Sequence, residues 1–126
     1  MEVKFRSDQP IYSQLVQQIE LAIVSGELQP GARLAPVRDM ATRAGVNPNT
    51  MQRALQELER TGMVYSQRTA GRFVTEDAAV IAAAKKARAG VLVRDFLEGM
   101  RKMGCSREEI LTMLQEEEET NGNSGV

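Results

Sequence analysis

Histidine is absent from this sequence, and cysteine occurs once, at Cys105. Without an imidazole the chain cannot assemble a Ser-His-Asp or Cys-His catalytic group. A single thiol with no histidine also leaves too few ligands for a structural zinc site. No catalytic residue, metal site or cofactor is therefore expected. Aspartate or lysine chemistry stays open on composition alone, but no paired-carboxylate constellation is evident. One cysteine rules out an intrachain disulfide, in keeping with a reducing compartment, and Cys105 reads as a helix-boundary residue without special chemistry. A basic start followed by an apolar stretch is missing too, as is any long apolar run. Neither a signal peptide nor a membrane span is expected, and the expected location is cytoplasmic.

What is present is ordinary in bulk and uneven in distribution. The chain has 126 residues, 42% hydrophobic and 26% charged, which suits one packed domain with an appendage. Its net charge is −1. Residues 33–75, however, carry seven arginines against Asp39, Glu57 and Glu59, a local charge of +4, whereas residues 76–126 sum to −3. A basic stretch beside an acidic tail fits a nucleic-acid-binding module joined to something else.

Apolar periodicity predicts the elements. Ile11, Leu15, Ile19 and Ile23, with Val16 and Ala22, form one stripe of a helix over 10–25, with Asp8 as its N-cap and Gly26 as its stop. Pro30-Gly31 favours a turn, and Arg33-Leu34 follows as a short extended piece. A short helix over 36–44 buries Val37, Met40, Ala41 and Ala44 and ends at Gly45. Asn47 caps a third helix that has Pro48 in its first turn, Met51, Ala54, Leu55 and Leu58 on its apolar side, and Gly62 at its end. Residues 63–66 and 72–75 read as two strands of a hairpin. Helix-forming, alanine-rich sequence then runs from 76 to about 103, and Gly104 breaks it. Ser106 and Glu109 make a capping box for a last helix, with Ile110, Leu111 and Leu114 as its apolar contacts. The polar residues from 119 to 126 are expected to be disordered. The expected fold is thus mainly α with a small β-hairpin: a winged helix-turn-helix domain over 1–75, a two-helix dimerisation arm over 76–118, and a tail over 119–126.

Two helices joined by the tight turn at Gly45-Val46 make a helix-turn-helix, and a hairpin directly after them makes it winged. The third helix of such a unit fits the DNA major groove, which is about 12 Å wide. Asn49, Gln52, Arg53 and Gln56 lie off its apolar stripe, and no acid precedes Glu57. Asparagine and glutamine can pair with adenine in bidentate fashion, and arginine with guanine. Arg38 on the second helix and Arg68 and Arg72 on the hairpin add positive charge. A polar outer face on an ordinary three-helix domain is the plainer reading of the third helix alone; the basic residues around it tip the balance to DNA contact.

These residues carry a family resemblance. The collinear stretches PIYSQLVQQIELAIVSGELQPGARL, APVRDMATRAGVNPNTMQRALQELERTGMVY and GRFV, over residues 10–75, resemble the DNA-binding domain of GntR-type regulators. The short two-helix tail resembles the YtrA subfamily and leaves no room for a large effector domain. The resemblance implies DNA contacts at Arg38, at Asn47, Asn49, Thr50 and Gln52 in the recognition helix, and at the wing tip, Arg68. Arg53 and Arg72 complete the expected DNA-binding set. Two departures stand out: Ala35-Pro36 replaces the usual Pro-Ser before the second helix, and Thr69-Ala70 and Arg72 alter the glycine-rich wing. These departures predict a stiffer and more basic wing.

For the tail, the expectation is homodimerisation through Ile81, Ala84, Val91, Leu92, Phe96, Met100, Leu111 and Leu114, because two short helices bury little core alone. The expected function is a sequence-specific transcription regulator, a repressor that binds an inverted repeat in double-stranded DNA as a homodimer. The alternative is a winged-helix adaptor that contacts only proteins. No membrane partner is expected. The sequence names no small-molecule effector, although Met100, Met103 and Met113 could line a small groove between the tail helices if they are not merely core filling.

Overall fold

A computed structural model describes residues 1–121. The order is α1 (Ile11–Val24), α2 (Val37–Ala44), α3 (Pro48–Arg60), β1 (Val64–Gln67), β2 (Gly71–Val74), α4 (Ala78–Lys102) and α5 (Arg107–Asn121). The chain forms two compact units, Met1–Ala87 and the residues from Arg88 onward.

The first unit is built on α3. Met51, Ala54, Leu55 and Leu58 recur at helical spacing and are fully buried against Leu15, Ile19 and Ile23 of α1 and Met40 and Ala41 of α2. Met63, Val64 and Val74 close this core from the hairpin side. Two expectations for α1 fail. Ile11 is 49% exposed, so the buried stripe begins one turn later at Leu15. Asp8 does not cap the helix: its carboxylate pairs with Arg6 at 2.7 Å, and Pro10 holds the N-cap position with no side-chain bond. Gln14, 5% exposed, instead fastens the entering chain. Its Oε1 accepts from the Arg6 N–H at 2.6 Å, and its Nε2 donates to the Arg6 and Gln9 carbonyls at 2.7 and 2.8 Å. Both N–H donors and the oxygen of a buried amide are thereby engaged within the domain.

The hairpin is antiparallel, with Val64 opposite Val74, Tyr65 opposite Phe73 and Ser66 opposite Arg72. The Tyr65 and Phe73 rings stack with centroids 5.6 Å apart. The extended piece around Arg33 pairs with the other edge of β2, through Leu34 N–H to the Arg72 carbonyl and Val74 N–H to the Ala32 carbonyl, both 2.9 Å. β2 is therefore held on both sides. Gly71 sits at φ +105°, so the backbone calls for glycine there.

The winged unit is longer than the sequence suggested. Asp77 Oδ1 accepts from the Ala79 N–H at 2.9 Å and starts α4, whose first turns place Val80, Ile81 and Ala84 half-buried against the core. The unit thus runs to Ala87, past the expected boundary after residue 75. Ile81 and Ala84, expected in a dimer interface, are core-packing residues.

In the second unit the capping box forms as expected. The Ser106 N–H donates to Glu109 Oε1 at 3.0 Å, and the Glu109 N–H donates to Ser106 Oγ at 3.1 Å. The bond from the Ser106 N–H first, and the Ser106 hydroxyl second, hold the Glu109 carboxyl below its ordinary value. The last helix extends to Asn121, so residues 119–121, expected to be disordered, are helical; the rest of that expected tail lies outside the described residues. A groove of about 340 Å³ is lined by Leu97, Cys105, Ile110 and Leu114, flanked by Arg101 and Arg107. None of Met100, Met103 and Met113 lines it, and Met103 and Met113 are exposed.

Candidate nucleic-acid interface

The turn between α2 and α3 is made by Gly45, left-handed at φ +69°, which ends α2, and by Val46, whose N–H returns to the Ala41 carbonyl at 3.0 Å. Asn47 then starts α3: its side chain accepts from the Asn49 N–H at 2.7 Å, and Pro48 fills the first helical position. Asn47 Oδ1 is thus committed to capping, which leaves its amide N–H groups for any partner. The first turn of α3 holds no acid. Asn49, Arg53 and Gln56 are exposed, while Thr50 and Gln52 are half-buried.

The arginines divide into two groups. Arg38, in the first turn of α2, and Arg68, at the wing tip, are exposed and form no ion pair among the described residues. Arg53 is exposed as well, with its guanidinium 4.7 Å from the Tyr12 ring centroid, a cation–π contact that fixes its stem while leaving its donors accessible. Arg72 behaves differently. Its Nε donates to Glu59 Oε1 at 2.8 Å and its Nη1 to Gln52 Oε1 at 3.1 Å. Ser66 Oγ donates to the same Glu59 oxygen. Burial acts to raise the Glu59 carboxyl, but the hydrogen bonds from Ser66 and Arg72 and the charge of Arg72 outweigh it and hold the group below its ordinary value. Arg72 was expected on the DNA-facing set; its fork is instead drawn inward, because the one acid on the neighbouring face of α3 stands opposite it.

Sequence reasoning missed Glu59 and Ser66. A signal for them exists. Gln52 and Glu59 are seven residues apart, hence on one helix face, and Ser66 and Arg72 share a hairpin register position. At the wing tip, where the sequence departs from the usual glycine-rich form, Thr69 takes the left-handed conformation at φ +71°, in a turn closed by the Ala70 N–H on the Gln67 carbonyl at 3.1 Å.

The family described as bacterial regulatory proteins, gntR family, matches residues 11–74. An HTH-type transcriptional regulator of Bacillus subtilis, YhcF, is 39% identical over 111 residues, covering 88% of this chain and 92% of that protein. The HTH-type transcriptional repressor YtrA of the same organism is 38% identical over 78 residues, covering 62% of this chain and 60% of the repressor. Among solved structures, a GntR family transcriptional regulator from Listeria monocytogenes superposes with a TM-score of 0.83 at 38% identity, over 89% of this chain and 98% of that one. The DNA-binding domain of AraR in complex with operator ORX1 gives a TM-score of 0.54 at 26% identity, over 60% of this chain and 96% of that domain.

Proposed function

The chain belongs to the gntR family of bacterial regulatory proteins and is a YtrA-like, DNA-binding transcription regulator, and we propose that it represses transcription from an inverted-repeat operator as a homodimer. The observation that carries this reading is the acid-free first turn of α3, with Arg38 and Arg68, without an ion pair among the described residues, on the adjoining α2 and wing. α3 enters the major groove, where Asn49, Thr50 and Gln52 face base edges. Arg38, Arg53 and Arg68 meet phosphates or groove edges, and the free amide of Asn47 adds a donor. The adaptor alternative would need an apolar outer face on α3, but the exposed residues there are Asn49, Arg53 and Gln56.

The second unit supplies the two-fold. Val91, Leu92, Phe96, Leu111 and Leu114 are exposed, Leu92 by 66%, and a second copy of the same helices covers them. Half-buried Met100 belongs to the same segment. Among the described residues no helix is long and apolar enough to cross a membrane, and action on chromosomal DNA sets the protein in the cytoplasm. The test is selection of binding sites from a randomised duplex library, with light scattering on the full chain. Enrichment of an inverted repeat by a dimer is expected. Enrichment of a single half-site by a monomer rejects the homodimer, and indifference to sequence rejects the regulator's proposed operator.

A further inference from the structure

The hydrogen bond between Gln52 and Arg72 has a direction fixed by chemistry. A guanidinium carries donors only, so Arg72 Nη1 donates and the Gln52 amide oxygen accepts, at 3.1 Å. Arg72 is itself held by Glu59 at 2.8 Å, and that carboxylate also accepts from Ser66. The Arg72 and Glu59 side chains are only 18% and 29% exposed, so solvent competes poorly for the pair. The wing strand therefore grips the oxygen end of a glutamine on the recognition helix, while its nitrogen end donates no hydrogen bond among the described residues.

We propose that Gln52 reads DNA through its amide N–H donors alone, and that Arg72 and Glu59 are positioning residues that hold its oxygen away from the base. The proposal rests on the reading of α3 as the recognition helix. A glutamine with both ends free pairs with adenine, donating to N7 and accepting from N6. The Arg72 bond occupies one lone pair of Oε1, turns that oxygen toward the wing strand and sets a cation beside it, so the adenine N6 donor meets a misdirected and weaker acceptor. Guanine offers two acceptors, N7 and O6, on the same edge. The base opposite Gln52 is accordingly guanine, and the discrimination against adenine is set by an arginine that touches no DNA.

The full-length protein is used to enrich a duplex from a randomised library, and the enriched duplex is then varied base by base. The position at which Gln52→Ala flattens the preference is the one Gln52 reads. There the wild type should favour guanine over adenine by roughly tenfold or more, within the range of a single base contact. Arg72→Met, which keeps the stem but removes the donors, should shift that preference toward adenine and leave the salt dependence unchanged. Arg72→Lys should restore part of it. Glu59→Gln, which loosens Arg72 without deleting it, should shift it less than Arg72→Met and carries the test if the latter fails to fold by thermal melting. A uniform loss of affinity on all duplexes with a shallower salt dependence would make Arg72 a phosphate contact and overturn the proposal. So would a wild-type preference for adenine, or a Gln52→Ala variant that flattens no position. A library that enriches nothing refutes sequence-specific binding itself, an outcome distinct from these.

Discussion

Replacing Arg38 by alanine should change how DNA binding responds to salt, by an amount that follows from the pairing of the arginines. Each phosphate neutralised by a protein cation releases a counterion, so the logarithm of affinity falls with the logarithm of salt with a slope of about −0.9 per contact. Arg38, Arg53 and Arg68 are exposed and free of ion pairs among the described residues, whereas Arg72 is neutralised by Glu59. Three contacts per protomer and two protomers give a slope of about −5, or a loss of roughly 10³ in affinity between about 50 and 200 mM salt. Arg38→Ala removes two contacts from the dimer, so the slope should become shallower by roughly two units and the loss should fall alike on specific and non-specific duplexes. Arg38→Lys should keep the slope, since a lysine carries the same charge. The assay is a gel-shift or anisotropy titration at four salt concentrations on one specific and one scrambled duplex. An Arg38→Ala slope equal to wild type, or a loss confined to the specific duplex, would refute the phosphate assignment.

Two further outcomes are expected of the wing. Thr69 holds φ +71°, a conformation glycine adopts without a Cβ penalty, so Thr69→Gly should be neutral or stabilising by up to about 1 kcal/mol in thermal or urea unfolding, and a loss of stability would contradict this. Because the folded Glu59 carboxyl lies below its unfolded value, its stabilisation is fully present above that unfolded value, near pH 4.3, and is lost as pH falls through the folded one. Wild type should therefore melt above Glu59→Gln at neutral pH, with the gap closing as pH falls below the unfolded value; a gap that persists or widens in acid would exclude the ion pair as its source.

The elements that carry local punctuation were legible from the sequence. Gly45 with Asn47-Pro48 marked the turn of the helix-turn-helix, and Ser106 with Glu109 marked the start of the last helix; each signal is complete within a few residues, and each forms as read. What escaped was tertiary. Whether Arg72 faces DNA or Glu59 depends on a strand and a helix meeting, which no local window contains. Gln14 was not singled out, because the chain it fastens, from Arg6 to Gln9, carries no pattern of its own. The boundary after residue 75 was misplaced for a related reason. The helix-forming sequence from Glu76 leads into α4 at Ala78, and that one helix begins inside the first unit and ends in the second without a break in its sequence.

That misplaced boundary yields a prediction about truncation. Fully burying a valine or isoleucine side chain is worth about 1.5–3 kcal/mol, so the half-buried Val80 and Ile81, with Ala84 beside them, contribute roughly 2–3 kcal/mol to the winged unit. A chain ending at Thr75 forfeits this and uncovers the core surface beneath. A chain ending at Ala87 keeps it, together with the Asp77 cap on α4. For a domain of this size each kcal/mol moves the melting temperature by roughly 4–8 °C, so the 1–75 fragment should melt about 10–20 °C below the 1–87 fragment. Both fragments should be monomers by light scattering if the interface lies in the exposed residues beyond Arg88, and both should lose the gain from linked half-sites, which can reach about 10²–10⁴-fold on an inverted repeat. Equal melting temperatures would mean that α4 adds nothing to the winged core. A dimeric 1–87 fragment would move the two-fold axis onto the winged unit, and the apolar surface at Leu92 and Phe96 would then need a different occupant.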